Sequence, residues 1–283
     1  MLSFIIYAGK STVIVGGLID LQPDYDTSAV RYYGPCKIEI PRISETMYSN
    51  GVVYINGTLY SCGGRDEYRP RACYKYNLSA HSDSWEYFTT IPGKTSFGSA
   101  VAFNDFFWYF NDEIQQVSVN DGSVKSFSWN HTSVACAVGN GSHSVVITNL
   151  NSSVLMYGNS SSPLSWRTVV ELDTAVRECG CLWFGNTIYV TGGVDSSNNR
   201  LRTTQLINTN TFQLTQGPLL SRAVSSHGMG VIHGEPAVIG GIEGKGNEIL
   251  TKDIYVHDSR RKYWYNRRPS LPYPLGKINP VTF

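Results

Sequence analysis

Three short stretches of this 283-residue chain hold residue types that could do chemistry. Gly9-Lys10-Ser11 has the form of the end of a phosphate-cradling loop, where a lysine following a glycine-rich turn meets nucleotide phosphates. That loop needs another glycine five residues before Gly9, and Phe4 stands there, so the stretch reads as a hairpin turn. Gly244-Lys245-Gly246 fails the same test, because no Ser or Thr follows the lysine. Cys179-Gly180-Cys181 has one intervening residue, where zinc knuckles have two to four. The histidines (His81, His131, His143, His227, His233 and His257) are scattered and show no metal spacing. The expectation is therefore no metal and no cofactor.

Composition narrows the remaining functions. The net charge is +1, which supplies no basic field for nucleic acid or an anionic membrane. No stretch approaches the ~20 apolar residues of a membrane span. Met1 to Tyr7 is apolar but has no basic segment before it and no small-residue cleavage site after it, so it reads as a strand rather than a leader. Gly (27) and Tyr (18) are abundant and charged residues make up only 16%. Aromatic residues suit a pleated surface and glycine supplies positive φ, so strands and tight turns are favoured over helices.

The elements that must carry any site recur. Tight-turn pairs occur at Gly9-Lys10, Asn56-Gly57, Asn104-Asp105, Asn140-Gly141, Gly185-Asn186 and Gly234-Glu235. Each follows a strand-like run such as Val52-Val53-Tyr54-Ile55 or Cys181-Leu182-Trp183-Phe184, which reads as a hairpin. About seven residues further on comes a second mark: Gly16-Gly17, Gly63-Gly64, Asn111-Asp112, the region of Thr148-Asn149, Gly192-Gly193 and Gly240-Gly241. Third and fourth strands follow, as at 253–257 and 263–265. An all-strand unit that recurs at intervals of about 37 to 48 residues is the pattern of a propeller blade.

This pattern resembles the kelch repeat: apolar strand, tight turn, apolar strand, Gly-Gly, a Tyr-Asp-like pair, then Trp. It is closest at Gly240-Gly241, His257-Asp258 and Trp264, and good at Gly63-Gly64, Tyr76-Asn77 and Trp85. At Gly192-Gly193 the Trp is replaced by Leu214, and units three and four lack the Gly pair. The expected fold is all-β, a single domain forming a six-bladed β-propeller of four-stranded antiparallel blades. The blades fall at about 1–43, 44–94, 95–131, 132–174, 175–221 and 222–275, with a tail at 276–283. The first strand of the first blade is expected at Phe4–Tyr7. The tail either starts a further repeat or lies against the ring, and a truncated seven-bladed parent fits the sequence as well. The Gly pair should give a sharp exit from the second strand, and the blade Trp should fill the gap between neighbours.

The resemblance implies a protein-binding module, not an enzyme. Some kelch propellers hold a copper-radical oxidase centre, but its Tyr, His and Cys ligands cannot be placed here. Ser118-Val119-Asn120-Asp121-Gly122 is similar to a sialidase Asp-box, yet a turn between third and fourth strands accounts for it. Kelch partners engage the face built from the loops after each second strand and those entering each blade. Here these are 20–26, 65–71, 195–202 and 243–252, with Arg42, Phe97, Arg177 and Arg222 at the entrances. Candidate partner-binding residues are Arg42, Arg65, Tyr68, Arg69, Phe97, Arg177, Asp195, Arg222, Glu243 and Lys245; the alternative is that the arginines hold neighbouring loops together. The partner expected is another protein, or a glycan if the propeller binds or processes sugar. An adaptor of a ubiquitin ligase is a further alternative, although such chains carry an oligomerisation domain before the propeller.

Two features point to a secreted or lumenal chain, while the missing leader favours the alternative of a cytoplasmic one. Glycosylation sequons stand at Asn56, Asn77, Asn130, Asn140, Asn151 and Asn159, where chance supplies about three. Cys62 ends a second strand and Cys73 opens the next, so the two can face each other across one blade as a disulfide. The alternative is that all six cysteines are small buried hydrophobes.

Overall fold

The computed structural model describes residues 12–15, 30–33, 40–43, 50–64, 71–80, 82–93, 98–103, 105–110, 113–128, 134–148, 153–158, 166–244, 248–268, 270–272, 274–278 and 280–282. For 12–15, 30–33, 146, 148, 153–158 and 281–282 it describes the backbone. The first sheet holds β1 (Thr12–Val15) and β2 (Val30–Tyr33). The second holds β3 (Gly51–Ile55), β4 (Thr58–Cys62), β5 (Ala72–Asn77) and β6 (Glu86–Thr90). The third holds β7 (Ser99–Ala102), β8 (Phe106–Phe110), β9 (Ile114–Ser118) and β10 (Val124–Phe127). The fourth holds β11 (Val134–Gly139), β12 (His143–Thr148), β13 (Ser153–Gly158) and β14 (Arg167–Glu171). The fifth holds β15 (Gly180–Phe184), β16 (Thr187–Thr191), β17 (Thr204–Asn208) and β18 (Leu214–Gln216). The sixth begins with β19 (Gly228–Ile232) and β20 (Glu235–Ile239). A two-stranded ribbon follows, β21 (Ile242–Glu243) with β22 (Ile249–Leu250), before β23 (Ile254–Asp258) and β24 (Tyr263–Asn266). The tail adds β25 (Val281–Thr282).

Sheets two to six are four-stranded antiparallel meanders, and the described residues contain no helix. Their first strands touch in sequence, β3 to β7, β11, β15 and β19, and β25 touches both β19 and β3. This is a β-propeller arrangement: each sheet covers the next one's face, so the apolar residues that one meander leaves open are buried by its neighbour.

Ring closure differs from the sequence expectation. β25 pairs antiparallel with β1, Val13 opposite Val281, so the first sheet runs β2-β1-β25. The edge of β1 assigned above to Phe4–Tyr7 is taken by the tail, and Phe4–Tyr7 lies outside the described residues. Three strands of this sheet are described, against the four expected. The tail occupies the position of an inner strand, as its backbone shows. Glu178, Ser226 and Lys277 each precede an inner strand and each has positive φ, at 54°, 50° and 52°. Ser226 N–H donates to the Glu178 carbonyl at 2.8 Å, and Lys277 N–H donates to Ser226 at 2.7 Å.

The glycine pairs and tryptophans act between sheets. Gly193 N–H donates to the Val224 carbonyl (2.8 Å) and Gly241 N–H to that of Leu275 (2.6 Å), each in the loop entering the following sheet. A Cβ on Gly192 or Gly240 would be driven into those same carbonyl oxygens. The indole N–H of Trp85 donates to the Pro41 carbonyl at 2.9 Å, and that of Trp264 to Thr204 Oγ1 at 3.1 Å. Both tryptophans are buried and reach back to the preceding unit, filling the gap between neighbours.

Candidate binding face and channel

Because the strands alternate in direction, the two ends of the propeller are built differently. Turns joining first to second and third to fourth strands open at one end. Loops joining second to third strands, and those entering each sheet, gather at the other. Asn56, Asn77 and Asn140 are all exposed and all lie at the turn end. The Asn77 side-chain oxygen accepts from Ser79 N–H (2.8 Å), and that of Asn140 from Ser142 and His143 N–H (3.0 and 2.9 Å). Asn130, Asn151 and Asn159 lie outside the described residues.

At the loop end, the structure separates the sequence candidates. Arg65, Tyr68, Arg69, Phe97 and Lys245 lie outside the described residues, and Arg42 is exposed. Asp195 caps its own loop: Oδ1 accepts from Ser197 and Asn199 N–H (2.9 and 2.8 Å) and Oδ2 from the Asn199 amide (3.1 Å). Arg177 is half-buried and donates through Nη2 to Asn198 of that loop, while its backbone exchanges hydrogen bonds with Val194. These two hold loop structure. Arg222 and Glu243 form an ion pair at 3.0 Å, with the arginine side chain 64% exposed and the carboxylate 12%. That pairing raises the already high Arg222 pKa.

Two residues within the predicted loops carry more of the face than those singled out from sequence. Arg200 binds three groups of two neighbouring elements: Ser225 Oγ through Nε (3.1 Å), the Gly244 carbonyl through Nη1 (2.6 Å) and the Glu248 carboxylate through Nη2. It ties the β16–β17 loop to the β21–β22 ribbon. Ile249, opposite Glu243 in that ribbon, is 62% exposed. Opposed residues project from the same face of a ribbon, so Ile249 stands beside the Arg222–Glu243 pair, and Glu248, its neighbour in sequence, holds Arg200. The only sequence signal for Ile249 is the apolar pair Ile249-Leu250 within an otherwise polar loop.

The inner strands enclose a central channel of about 740 Å³. Cys136, Cys179, Cys181, His227, Met229 and Pro280 line it. His227 Nε2 lies 2.8 Å from Thr191 Oγ1, and Nδ1 has no hydrogen-bond partner. The Nε2–H tautomer therefore fits best, since it leaves a bare lone pair on Nδ1 rather than an unpaired N–H. Desolvation lowers the His227 pKa to about 3, so the ring is neutral at physiological pH. Among the described residues no group of three or more His, Cys, Asp or Glu is arranged to hold a metal ion. Cys62 and Cys73 are opposite one another in the β4–β5 register and form a disulfide, with Cα atoms 4.1 Å apart. A second disulfide, Cys136–Cys181, joins β11 to β15. With four cysteines in disulfides, the reading of all six as plain buried hydrophobes is corrected.

The fold and its two contrasting ends define a β-propeller with a loop-built face. A solved structure, that of YjhT, is similar to it at TM-score 0.73 and 13% sequence identity, covering 84% of this chain and 89% of that one. No family model matches the chain, and no curated protein matches it. No helix among the described residues is long and apolar enough to cross a membrane.

Proposed function

We propose that this chain is a six-bladed propeller of the kelch type that binds a protein partner on its loop face without catalysing a reaction. Six units recurring through the sequence support the blade number, as do the six inner strands β3, β7, β11, β15, β19 and β25. The observation that carries the binding reading is Ile249, an exposed apolar side chain on a two-stranded ribbon between two Arg–Glu pairs. Interface hot spots pair an apolar anchor with a surrounding polar rim that excludes water, and arginine is enriched among them. The non-catalytic reading rests on how the titratable groups are used: Arg200, Arg222, Glu243, Glu248 and Asp195 are engaged in pairs and loop caps.

The test uses the whole chain as bait against extract from its native source, with a glycan array in parallel. Ile249→Asp should weaken capture of the recovered protein about tenfold or more, and Arg222→Ala less, because burying the introduced carboxylate is costly. Arg260→Ala, in the exposed β23–β24 turn at the other end, should leave capture unchanged. Equal capture by the wild type and Ile249→Asp, or binding to the glycan array alone, overturns the reading.

We further propose that the chain passes through an oxidising, glycosylating compartment. The two disulfides support this, as do three exposed sequons at the turn end, away from the loop face. Protein from a eukaryotic secretory host should lose mass on N-glycosidase treatment; an unchanged mass refutes the proposal.

A further inference from the structure

The channel wall holds three cysteines at one point. Cys136 projects from β11, while Cys179 and Cys181 flank Gly180 at the start of β15. Residues two apart in extended backbone project to the same side, and both sulfurs meet Cys136. Cys136 is bonded to Cys181, and its Sγ lies 3.2 Å from the Sγ of Cys179, the free thiol among the described residues. Cys179 is buried (5% exposed) and Cys181 half-buried, and all three line the channel.

We propose that Cys136, Cys179 and Cys181 form a thiol–disulfide exchange site in which Cys136 bonds to either neighbour. The Cys179 thiolate attacks Cys136 Sγ; a Cys136–Cys179 bond forms as the Cys136–Cys181 bond breaks. Cys181 leaves as the thiolate and takes up the proton that Cys179 released. No oxidant or reductant is consumed, since one disulfide and one thiol are present before and after. The exchange moves the free thiol from a buried position to the more accessible Cys181. There a small disulfide or other thiol-reactive molecule entering the channel can reach it. Burial raises the Cys179 pKa to about 12, which keeps its thiol protonated and favours Cys136–Cys181 as the resting bond. This site is independent of the loop face and stands or falls separately from the partner reading.

The test is peptide mapping without reduction, in a Cys36→Ser background so that the sixth cysteine cannot compete. Cys179→Ser should yield Cys136–Cys181 as the sole pairing of Cys136, beside the unchanged Cys62–Cys73 peptide. Cys181→Ser, reoxidised in a glutathione/glutathione-disulfide buffer, should yield Cys136–Cys179. In the background protein with all three cysteines, mild alkali should convert part of the Cys136–Cys181 peptide to Cys136–Cys179, moving the alkylatable thiol to Cys181. Because Cys181→Ser can misfold, the alkali experiment decides alone: alkylation confined to Cys179 after prolonged exposure overturns the proposal. So does a folded Cys181→Ser protein in which Cys136 and Cys179 both remain alkylatable.

Discussion

Gly192→Ala should lose about 4 kcal/mol of stability, while Gly185→Ala should lose about 1 kcal/mol. The two glycines have nearly the same backbone, φ +54° and +58°, so the strain of placing an L-residue in the left-handed region is shared. Their surroundings differ. A Cβ on Gly185 meets nothing within 4 Å, whereas on Gly192 it would press into the Val224 carbonyl oxygen and lie 2.9 Å from His227 Cε1. The carbonyl is backbone of the next sheet's entering loop and cannot swing aside. The Gly193–Val224 hydrogen bond beside it would be lost with any shift. Denaturant titration should place the Gly192→Ala midpoint well below that of Gly185→Ala, and the melting temperature about 10 °C lower. Equal losses would show that the glycine pair serves only its own turn and does not join the sheets.

Ending the chain at Gly276 should be more damaging still, on the order of 5 kcal/mol or a complete loss of cooperative unfolding. The deletion removes β25 from between β19 and β3 and uncovers the edge of β1. It also removes the Lys277–Ser226 hydrogen bond, the buried Ile278 and Pro280, which packs against Gly228. An uncovered strand edge invites pairing with other chains, so part of the truncated protein should sediment as aggregate. A truncated chain that stays monomeric and unfolds at the wild-type denaturant midpoint would refute the role given to the tail in closing the ring.

The two ends of the propeller divide the surface between them. The sequons at Asn56, Asn77 and Asn140 open at the turn end, while Arg200, Arg222 and Ile249 stand at the loop end. Glycans at those turns would leave the proposed binding face clear. Arg200 matters to this division as a brace rather than as a contact: its three hydrogen bonds hold the ribbon that presents Ile249. A rigid presenting loop has less entropy to lose on binding.

What this sequence determined alone was local: strands and the turns between them. Alternation of apolar residues sets the face of a strand, and Asn-Gly or Gly-Gly pairs supply the positive φ that ends it, within a handful of residues. Val52–Ile55, Leu59–Cys62, Ile188–Thr191 and Ala237–Ile239 are strands for that reason, and the register between adjacent strands set Cys62 opposite Cys73. Tertiary structure alone decided what depends on chain segments far apart. The two-residue β25 is too short to show a period, and its partner is at the other end of the chain. The Cys136–Cys181 bond joins two sheets, so no spacing within one unit announces it. Arg200 sits in a loop and Ile249 in a two-residue strand, neither long enough to show a period, and their roles come from which neighbouring loop the closed ring brings against them.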